Sequence, residues 1–419
     1  WHSLNRDCSW NDFGKKACLF PRAHESVSWE VDSDSDVILD GFTLRHSSHY
    51  SSNIYESFVL DITTSGDIEI TDSEINSDYH CGTMSNCKIY TNYAHNYHDD
   101  PYRYAYFNLA GSDISIEGSD IRIEGGTEDT LGGGNNQDNI TSYFSIQGDS
   151  LEVSNSTLES HAYAWNSYTH GDYDRHAEAE MIFNVTGSSI FRDSELTVQS
   201  MERTNRSDDY FMADSSMKIT SSSLYSYDTD FSSYRWTRYG EESIDFDISG
   251  HAKYEDSNIV CREFSADYGS LDMDGTKITG DFKGVSGDKR YSELFDVDIT
   301  STGDFTIDNS SIYSIGGLKV YGDNNYYFTF SIETSGDIHI ANTNINSTFY
   351  RGSLIHLDAG EITIKDSILR AGTETSASGE NDNSNVDDLI SRVELSSEGE
   401  ILVDGSDLVS FSRMNSTST

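Results

Sequence analysis

The chain is 419 residues long and carries 72 acidic against 27 basic side chains, which gives a formal net charge of −45 at pH 7. This balance excludes a nucleic-acid-binding surface, because phosphate contacts require clustered Lys and Arg. Only 35% of the residues are hydrophobic, and no stretch approaches the roughly 18 apolar residues of a membrane span. The apolar residues alternate with polar ones, which is typical of a thin solenoid core and not of a disordered chain.

The first 25 residues precede the patterned region and are interpreted as a small N-terminal cap or plug. The chain begins at Trp1 and not at Met, which predicts that an N-terminal segment such as a secretion signal has been removed. Four of the five cysteines form two close pairs that suit short disulfide loops, with reduced thiols as the alternative: Cys8 with Cys18, and Cys81 with Cys87. Cys261 is left over. We therefore expect a secreted, extracellular protein.

An opening strand pattern at 26–44 contains aspartates at alternate positions: Asp32, Asp34, Asp36 and Asp40. Alternation places their oxygens on one side of an extended segment, and carboxylates are the ligands that Ca²⁺ prefers. These four residues are candidate ligands of a structural calcium ion. The alternative is that they are outward strand positions exposed to water. The sequence indicates no other cofactor.

The segment 65–76, SGDIEITDSEIN, returns in altered forms along the chain. Each copy has a small-residue turn, a strand of alternating apolar and polar residues, a polar two-residue corner and a second short apolar pair. Internal repeats of this kind indicate a solenoid or a related array. The period of two within each copy predicts strand and not helix. Further copies begin at Gly111, Gly148, Gly187, Ser301, Thr334, Ala359 and Ser397.

The turn glycines recur at intervals as short as 19 residues (269 − 250) and 24 residues (360 − 336). A coil of three short strands and three turns needs about that many residues. The predicted fold is all-β: a single right-handed parallel β-helix of about twelve coils over 26–411, followed by a short tail at 412–419. Corner hydroxyls are expected to bond neighbouring backbone, at Ser73, Ser119, Ser156, Ser310, Ser367 and Ser406.

Longer intervals between copies predict loops that leave the coils at one recurring place, after the second strand, and gather on one side. They fall at 78–100, 125–139, 162–177, 227–241 and 372–387. Aromatic side chains with polar groups on exposed loops suit interfaces. The alternative is that the loops fold down over a sheet face. The candidate interface residues are Trp165, Tyr168, Tyr173, Tyr234, Trp236 and Tyr239.

Sequons of the form N-x-S/T are consistent with a secreted glycoprotein. They occur at Asn139, Asn155, Asn184, Asn205, Asn309, Asn346 and Asn415.

The unit G-D-I-x-I-x-x-S-x-I, present at 66–75, 303–312 and 336–345, resembles the right-handed parallel β-helix proteins, particularly secreted adhesins of the filamentous haemagglutinin type. Pectate lyases and polygalacturonases share that pectin-lyase-like fold, so the resemblance also allows an enzyme. The polygalacturonase segments N-T-D and R-I-K are absent here, and the nearest matches are Asp99–Asp100 and Gly250–His251. The resemblance therefore favours a protein that is not an enzyme.

The strand pattern persists almost to residue 411, without an amphipathic helix to cover the last strands. Uncovered strand edges pair with other chains. We expect a secreted structural protein, a subunit of an extracellular fibre or surface appendage, whose partner is a further copy stacked head to tail. The alternative is a glycan-binding adhesin, or a lyase or hydrolase acting on polysaccharide, that uses the aromatic loops.

Overall fold

Strands are the regular elements of the part of the chain that the computed structural model describes. That part consists of residues 27–47, 57–78, 103–129, 139–166, 175–204, 211–235, 240–281, 294–315, 327–349, 352–377 and 390–416. The predicted N-terminal cap at 1–25 lies outside it. Within it, the final strand continues to Ser416, beyond the predicted boundary at 411.

From residue 27 to 221 the strands are β1 (Val27–Ser33), β2 (Val37–Asp40), β3 (Thr43–Ser47), β4 (Ser57–Thr64), β5 (Ile68–Thr71), β6 (Glu74–Asp78), β7 (Arg103–Ala110), β8 (Asp113–Glu117), β9 (Asp120–Asp129), β10 (Asn139–Gly148), β11 (Ser150–Ser154), β12 (Thr157–Asn166), β13 (Arg175–Val185), β14 (Ser188–Arg192), β15 (Glu195–Thr204) and β16 (Phe211–Ser221).

From residue 223 to 416 they are β17 (Ser223–Tyr227), β18 (Asp230–Arg235), β19 (Glu242–Glu255), β20 (Asn258–Val260), β21 (Glu263–Asp274), β22 (Lys277–Asp281), β23 (Leu294–Ser301), β24 (Phe305–Asp308), β25 (Ser311–Ile315), β26 (Tyr327–Thr334), β27 (Ile338–Ala341), β28 (Asn344–Phe349), β29 (Gly352–Ala359), β30 (Ile362–Lys365), β31 (Ile368–Ala377), β32 (Ile390–Ser397), β33 (Ile401–Asp404) and β34 (Asp407–Ser416).

The chain divides into two compact units, Trp1–Lys218 with Ser233–Glu242 and Ile219–Ser232 with Ser243–Thr419. In the first unit each strand pairs in parallel with the strand three places further on, as in β1–β4–β7–β10–β13 and β3–β6–β9–β12–β15. The second unit has the same order, as in β23–β26–β29–β32 and β24–β27–β30–β33. Three consecutive strands therefore make one coil. Each unit is a parallel β-helix, which confirms the predicted all-β fold class.

The two shortest glycine intervals correspond to single coils. His251 in β19 pairs with Ser270 in β21, a step of 19 residues. Ile338 in β27 pairs with Ile362 in β30, a step of 24 residues. The sequence interval therefore measures the length of one coil.

Stacked rows of apolar side chains form the core. In the first unit Ile68 pairs with Ile114 and Ile70 with Ile116, and all four are buried. Such rows arise because in-register parallel pairing places equivalent inward positions of successive coils next to each other. Aromatic residues extend the rows in places, as where the ring centroids of Phe107 and Phe144 lie 4.5 Å apart.

One feature recurs at the corner between the second and third strand of each coil. The first corner residue adopts a positive φ, and it is Asp, Asn or Gly throughout, as at Asp72, Asn155 and Gly275. These residue types tolerate the left-handed region best. The two-residue corner of the repeat is therefore a backbone requirement.

The second corner residue builds a hydroxyl ladder between coils. The backbone N–H of Ser73 donates to Ser119 Oγ at 3.1 Å, and that of Ser119 donates to Ser156 Oγ at 3.1 Å. Each of these hydroxyls also donates to the carbonyl two residues earlier, as Ser119 does to Glu117 O at 2.9 Å. The same ladder links Ser310 and Thr343 in the second unit. The prediction for the corner hydroxyls is confirmed.

Contacts between successive coils also explain the Gly-Asp pair at the first turn. A Cβ on Gly336 would lie 2.5 Å from the carbonyl carbon of Gly303 in the preceding coil, so a side chain there would collide with backbone. The aspartate after the glycine accepts a hydrogen bond from the next coil. Asp304, which follows Gly303, accepts the N–H of Asp337 through Oδ1 at 3.1 Å.

The third strands run further than expected from the sequence. β9 continues to Asp129, β12 to Asn166, β18 to Arg235 and β31 to Ala377, each inside a segment predicted as a loop. The predicted loop starts were therefore too early, because in-register pairing with neighbouring third strands extends the strand into sequence that lacks the apolar repeat. Handedness and coil number stay predictions.

Candidate functional site

The β32–β34 coil of the second unit exposes apolar side chains that its neighbours bury. Ile401 and Val403 in β33 pair with Ile362 and Ile364, which are fully buried. Ile401 is nevertheless 42% exposed and Val403 39% exposed. In β34, Leu408 is 40% exposed although it pairs with a buried leucine of β31. The inward-facing row of the core thus continues to the surface on this coil.

Backbone groups of the same coil are available along one edge. Among the described residues, β32 pairs with β29, β33 with β30 and β34 with β31, each on one side. An edge of this kind presents unpaired N–H and C=O groups that can template the pairing of a further strand. We define the β32–β34 edge as the backbone edge of these three strands with Ile401, Val403 and Leu408.

Among the described strands of the first unit, β1 pairs with β4, β2 with β5 and β3 with β6, each on one side, which makes a comparable edge. Val31, Val37 and Leu39 continue buried rows of the next coil, yet each is only half-buried. Within this coil the rings of Trp29 and Phe42 are stacked, with centroids 4.8 Å apart. We define the β1–β3 edge as the backbone edge of these strands with Val37 and Leu39.

A second candidate is a group of charged side chains on the outer face of β9 and β12, in the first unit. Arg122 Nη2 lies 3.1 Å from Glu124 Oε2, and Arg122 Nε lies 3.5 Å from Glu159 Oε2. His161 Nε2 lies 3.7 Å from the same Glu159 oxygen. Pairing of Arg122 with Glu159 and of Glu124 with His161 places the four side chains in one patch. We call it the Arg122 cluster.

Burial perturbs the titration of this cluster. Desolvation raises the pKa of Glu159, although the Arg122 guanidinium opposes the shift. Desolvation, assisted by Arg122, lowers the pKa of His161 to about 3, so the imidazole is neutral at pH 7. Perturbed groups of this kind are often found at functional sites. Here, however, the side chains of Glu124 and His161 are almost completely buried, at paired positions of β9 and β12, which suits a structural network better than contact with a substrate.

Sequence reasoning missed the Arg122 cluster. The available signal was a charged residue at alternate positions of two successive third strands, Arg122 and Glu124 in one copy and Glu159 and His161 in the next. Recognising it required the pairing register between copies 37 residues apart (159 − 122).

The proposed calcium ligands do not come together. Asp32 and Asp40 lie in β1 and β2, Asp34 and Asp36 lie in the turn between them, and all four are exposed. Asp36 Oδ1 instead accepts the N–H of Asp67 at 3.1 Å, as part of the turn ladder. Within the described ranges, no group of three or more His, Cys, Asp or Glu side chains could hold a metal ion.

Cys8, Cys18, Cys81 and Cys87 lie outside the described residues, and Cys261 is fully buried in the second unit. The disulfide pairs therefore stay predictions. Of the sequon asparagines, Asn155 and Asn309 are exposed at left-handed corners and Asn184 is exposed in β13, whereas Asn346 is half-buried. Asn139 and Asn415 lie in β10 and β34, and Asn205 lies outside the described residues. Attachment of glycans also stays a prediction.

Two of the aromatic candidates lie on strands, because Trp165 belongs to β12 and Tyr234 to β18. Tyr168, Tyr173, Trp236 and Tyr239 lie outside the described part of the chain. The aromatic loop surface is therefore not tested.

The residues nearest to polygalacturonase motifs give no catalytic pair among the described positions. Asp99 and Asp100 lie outside the described residues. His251 contacts Ser270 Oγ through Nδ1 at 2.9 Å, and its Nε2 lies 3.7 Å from Asp272. An inverting glycosidase needs two carboxyl groups about 6.5–9.5 Å apart that flank one bond. A histidine beside a serine and one exposed aspartate is a different arrangement.

Comparison with known protein families, with curated proteins and with solved structures finds no match to this chain. None of the described residues form a helix long and apolar enough to cross a membrane.

Proposed function

We propose that the protein is a secreted structural protein, the subunit of an extracellular fibre or surface appendage that is assembled from copies stacked head to tail. The observation that supports this proposal best is the exposed core row of the β32–β34 edge, beside backbone groups that can accept another coil. The chemistry is noncovalent, and consists of strand pairing and apolar burial.

The free energy of association depends on the balance between burial, hydrogen bonds and the cost of bringing two copies together. Complete burial of a valine, leucine or isoleucine side chain contributes about 1.5–3 kcal/mol, and Ile401, Val403 and Leu408 are already about 60% buried. Their remaining burial, with backbone hydrogen bonds at about 0.5–1.5 kcal/mol each, must exceed an association cost of about 4–15 kcal/mol. Several strands must therefore pair at once.

Charge opposes the association of copies. Each copy carries a formal charge of −45, so approaching copies repel one another, and salt screens that repulsion over a Debye length of about 10 Å at 0.1 M. The proposal therefore predicts that assembly increases with ionic strength. The extracellular location is supported by the spacing of the cysteines and by the exposed sequons at Asn155, Asn184 and Asn309.

The proposal is tested by light scattering of the purified chain over a range of protein and salt concentrations. Val403→Asp places a charge in the exposed core row and should reduce the mean mass to that of a monomer. Thr306→Asp is the matched control, because it adds the same charge at an outward position of β24, away from the edge. A wild-type chain that stays monomeric under all conditions would contradict the proposal, as would equal masses for the two variants.

A further inference from the structure

We infer that the partner of the β32–β34 edge is the β1–β3 edge of a second copy, in one defined register. Ile401 then pairs with Val37, Leu402 with Ile38 and Val403 with Leu39. This inference rests on the proposed function, and it specifies which surfaces meet and how they align.

The middle strands of the two coils match in length. β2 and β33 each contain four residues and end in Asp followed by Gly. Both glycines have left-handed backbone, with φ of 58° at Gly41 and 60° at Gly405. The two coils also have the same number of residues between the last inward apolar residue of the first strand and the start of the second strand. These residues are Val31 and Val37 in one coil, and Leu395 and Ile401 in the other. Equal middle strands and equal first turns place the two coils in one register.

Outer-face residues provide the second argument. Ile38 is 62% exposed and Leu402 is 47% exposed, and both point away from the core at the second residue of their strands. Their neighbours in the adjacent coils are polar, Glu69 beside Ile38 and Thr363 beside Leu402. In the proposed register the two aliphatic side chains become a cross-strand pair, which shields both from water.

Two residues make this junction weaker than a contact between coils of one chain. Ser35 occupies the turn position that is glycine in coils of the second unit, where Gly336 stacks on Gly303. The Cβ of Ser35 would meet the backbone of the other copy there, so the turn must shift locally. Phe42 takes the corner position of the hydroxyl ladder, so the N–H of Ser406 finds no Oγ on the second copy. The junction therefore forms reversibly.

The register is tested with the double variant Ile38→Cys/Leu402→Cys. Mild oxidation of the assembled protein should give a ladder of covalent multimers on a non-reducing gel, because adjacent in-register residues have Cα atoms within the range that a disulfide spans. The wild-type chain provides the background from the native cysteines. The matched control is Ile38→Cys/Thr306→Cys, since Thr306 occupies the same position in β24, away from the edge, and should give no ladder.

The outcomes separate the register from the proposed function. Multimers from the first variant alone support both. Assembly by light scattering with no cross-link, or with equal cross-links in the control, overturns the register and leaves the proposed function standing. Absence of assembly overturns both. A second variant, Ser35→Gly, removes the turn collision and should lower the concentration for half-maximal assembly, and an unchanged or higher value counts against the register.

Discussion

The hydroxyl ladder predicts a local effect that can be measured at a single amide. Ser119→Ala removes the Oγ that accepts the N–H of Ser73 at 3.1 Å. Both residues are buried, so the N–H loses its acceptor without gaining water. An unsatisfied buried donor costs about 1–3 kcal/mol, and a tenfold change corresponds to about 1.4 kcal/mol. Amide exchange at Ser73 should therefore accelerate by roughly 5- to 150-fold.

Hydrogen exchange followed by mass spectrometry, on a peptide that contains Ser73, is the assay. Ser119→Thr is the control, because Thr276 and Thr343 occupy the same corner and keep the hydroxyl in the ladder. We expect exchange close to that of the wild type for the Thr variant. If the Ala variant exchanges no faster than the Thr variant, the ladder does not stabilise the corner and the reasoning is refuted.

Three further substitutions test the packing of the coils. Gly336→Ala forces a Cβ against the backbone of Gly303 and should destabilise by about 1–3 kcal/mol in urea unfolding, whereas no loss would contradict the stacked turns. Tyr254→Phe removes the 2.9 Å contact to the buried Tyr268 hydroxyl and should cost about 1–3 kcal/mol, a loss that thermal unfolding would detect. The pKa of His161 is about 3 when folded against 6.5 in the unfolded chain. Its stabilising contribution is therefore complete above pH 6.5 and falls by about 1.4 kcal/mol per unit as the pH drops. Unfolding measured against His161→Gln from pH 7 to 4 checks this, and a constant difference would be inconsistent with a buried neutral imidazole.

The fold was largely predictable because its causes are local in sequence. Alternating residues such as Ile68 and Ile70 indicate a strand without knowledge of its partner, and a glycine marks the first turn of most coils. The sequence also predicted a polar two-residue corner, and its backbone cause became apparent from the positive φ of Asp72 and its equivalents, which are Asp, Asn or Gly.

Features that depend on register between coils were not predictable in the same way. Ser189 pairs with Leu151 and is buried, which turns Ile190 outward although isoleucine is the more apolar of the two. The extension of third strands such as β12 into predicted loops has the same origin. A local pattern gives a strand its two faces, but its length and alignment depend on a neighbour tens of residues away.

The location of the candidate site could be predicted from the sequence, but the residues that form it could not. Persistence of the repeat predicted a patterned coil that extends to residue 411, whereas the exposure of Val403 and the matching aliphatic residue Ile38 required the structure. The aspartates of β1 and β2 show the opposite case. Alternation suggested a shared calcium site, but alternate positions and a turn leave Asp32 and Asp40 on separate strands.

The most direct test of the account is electron microscopy of the purified wild-type chain at raised salt, beside the Val403→Asp variant. The account predicts linear assemblies for the wild type and single particles for the variant. Single wild-type particles at every protein and salt concentration would contradict it.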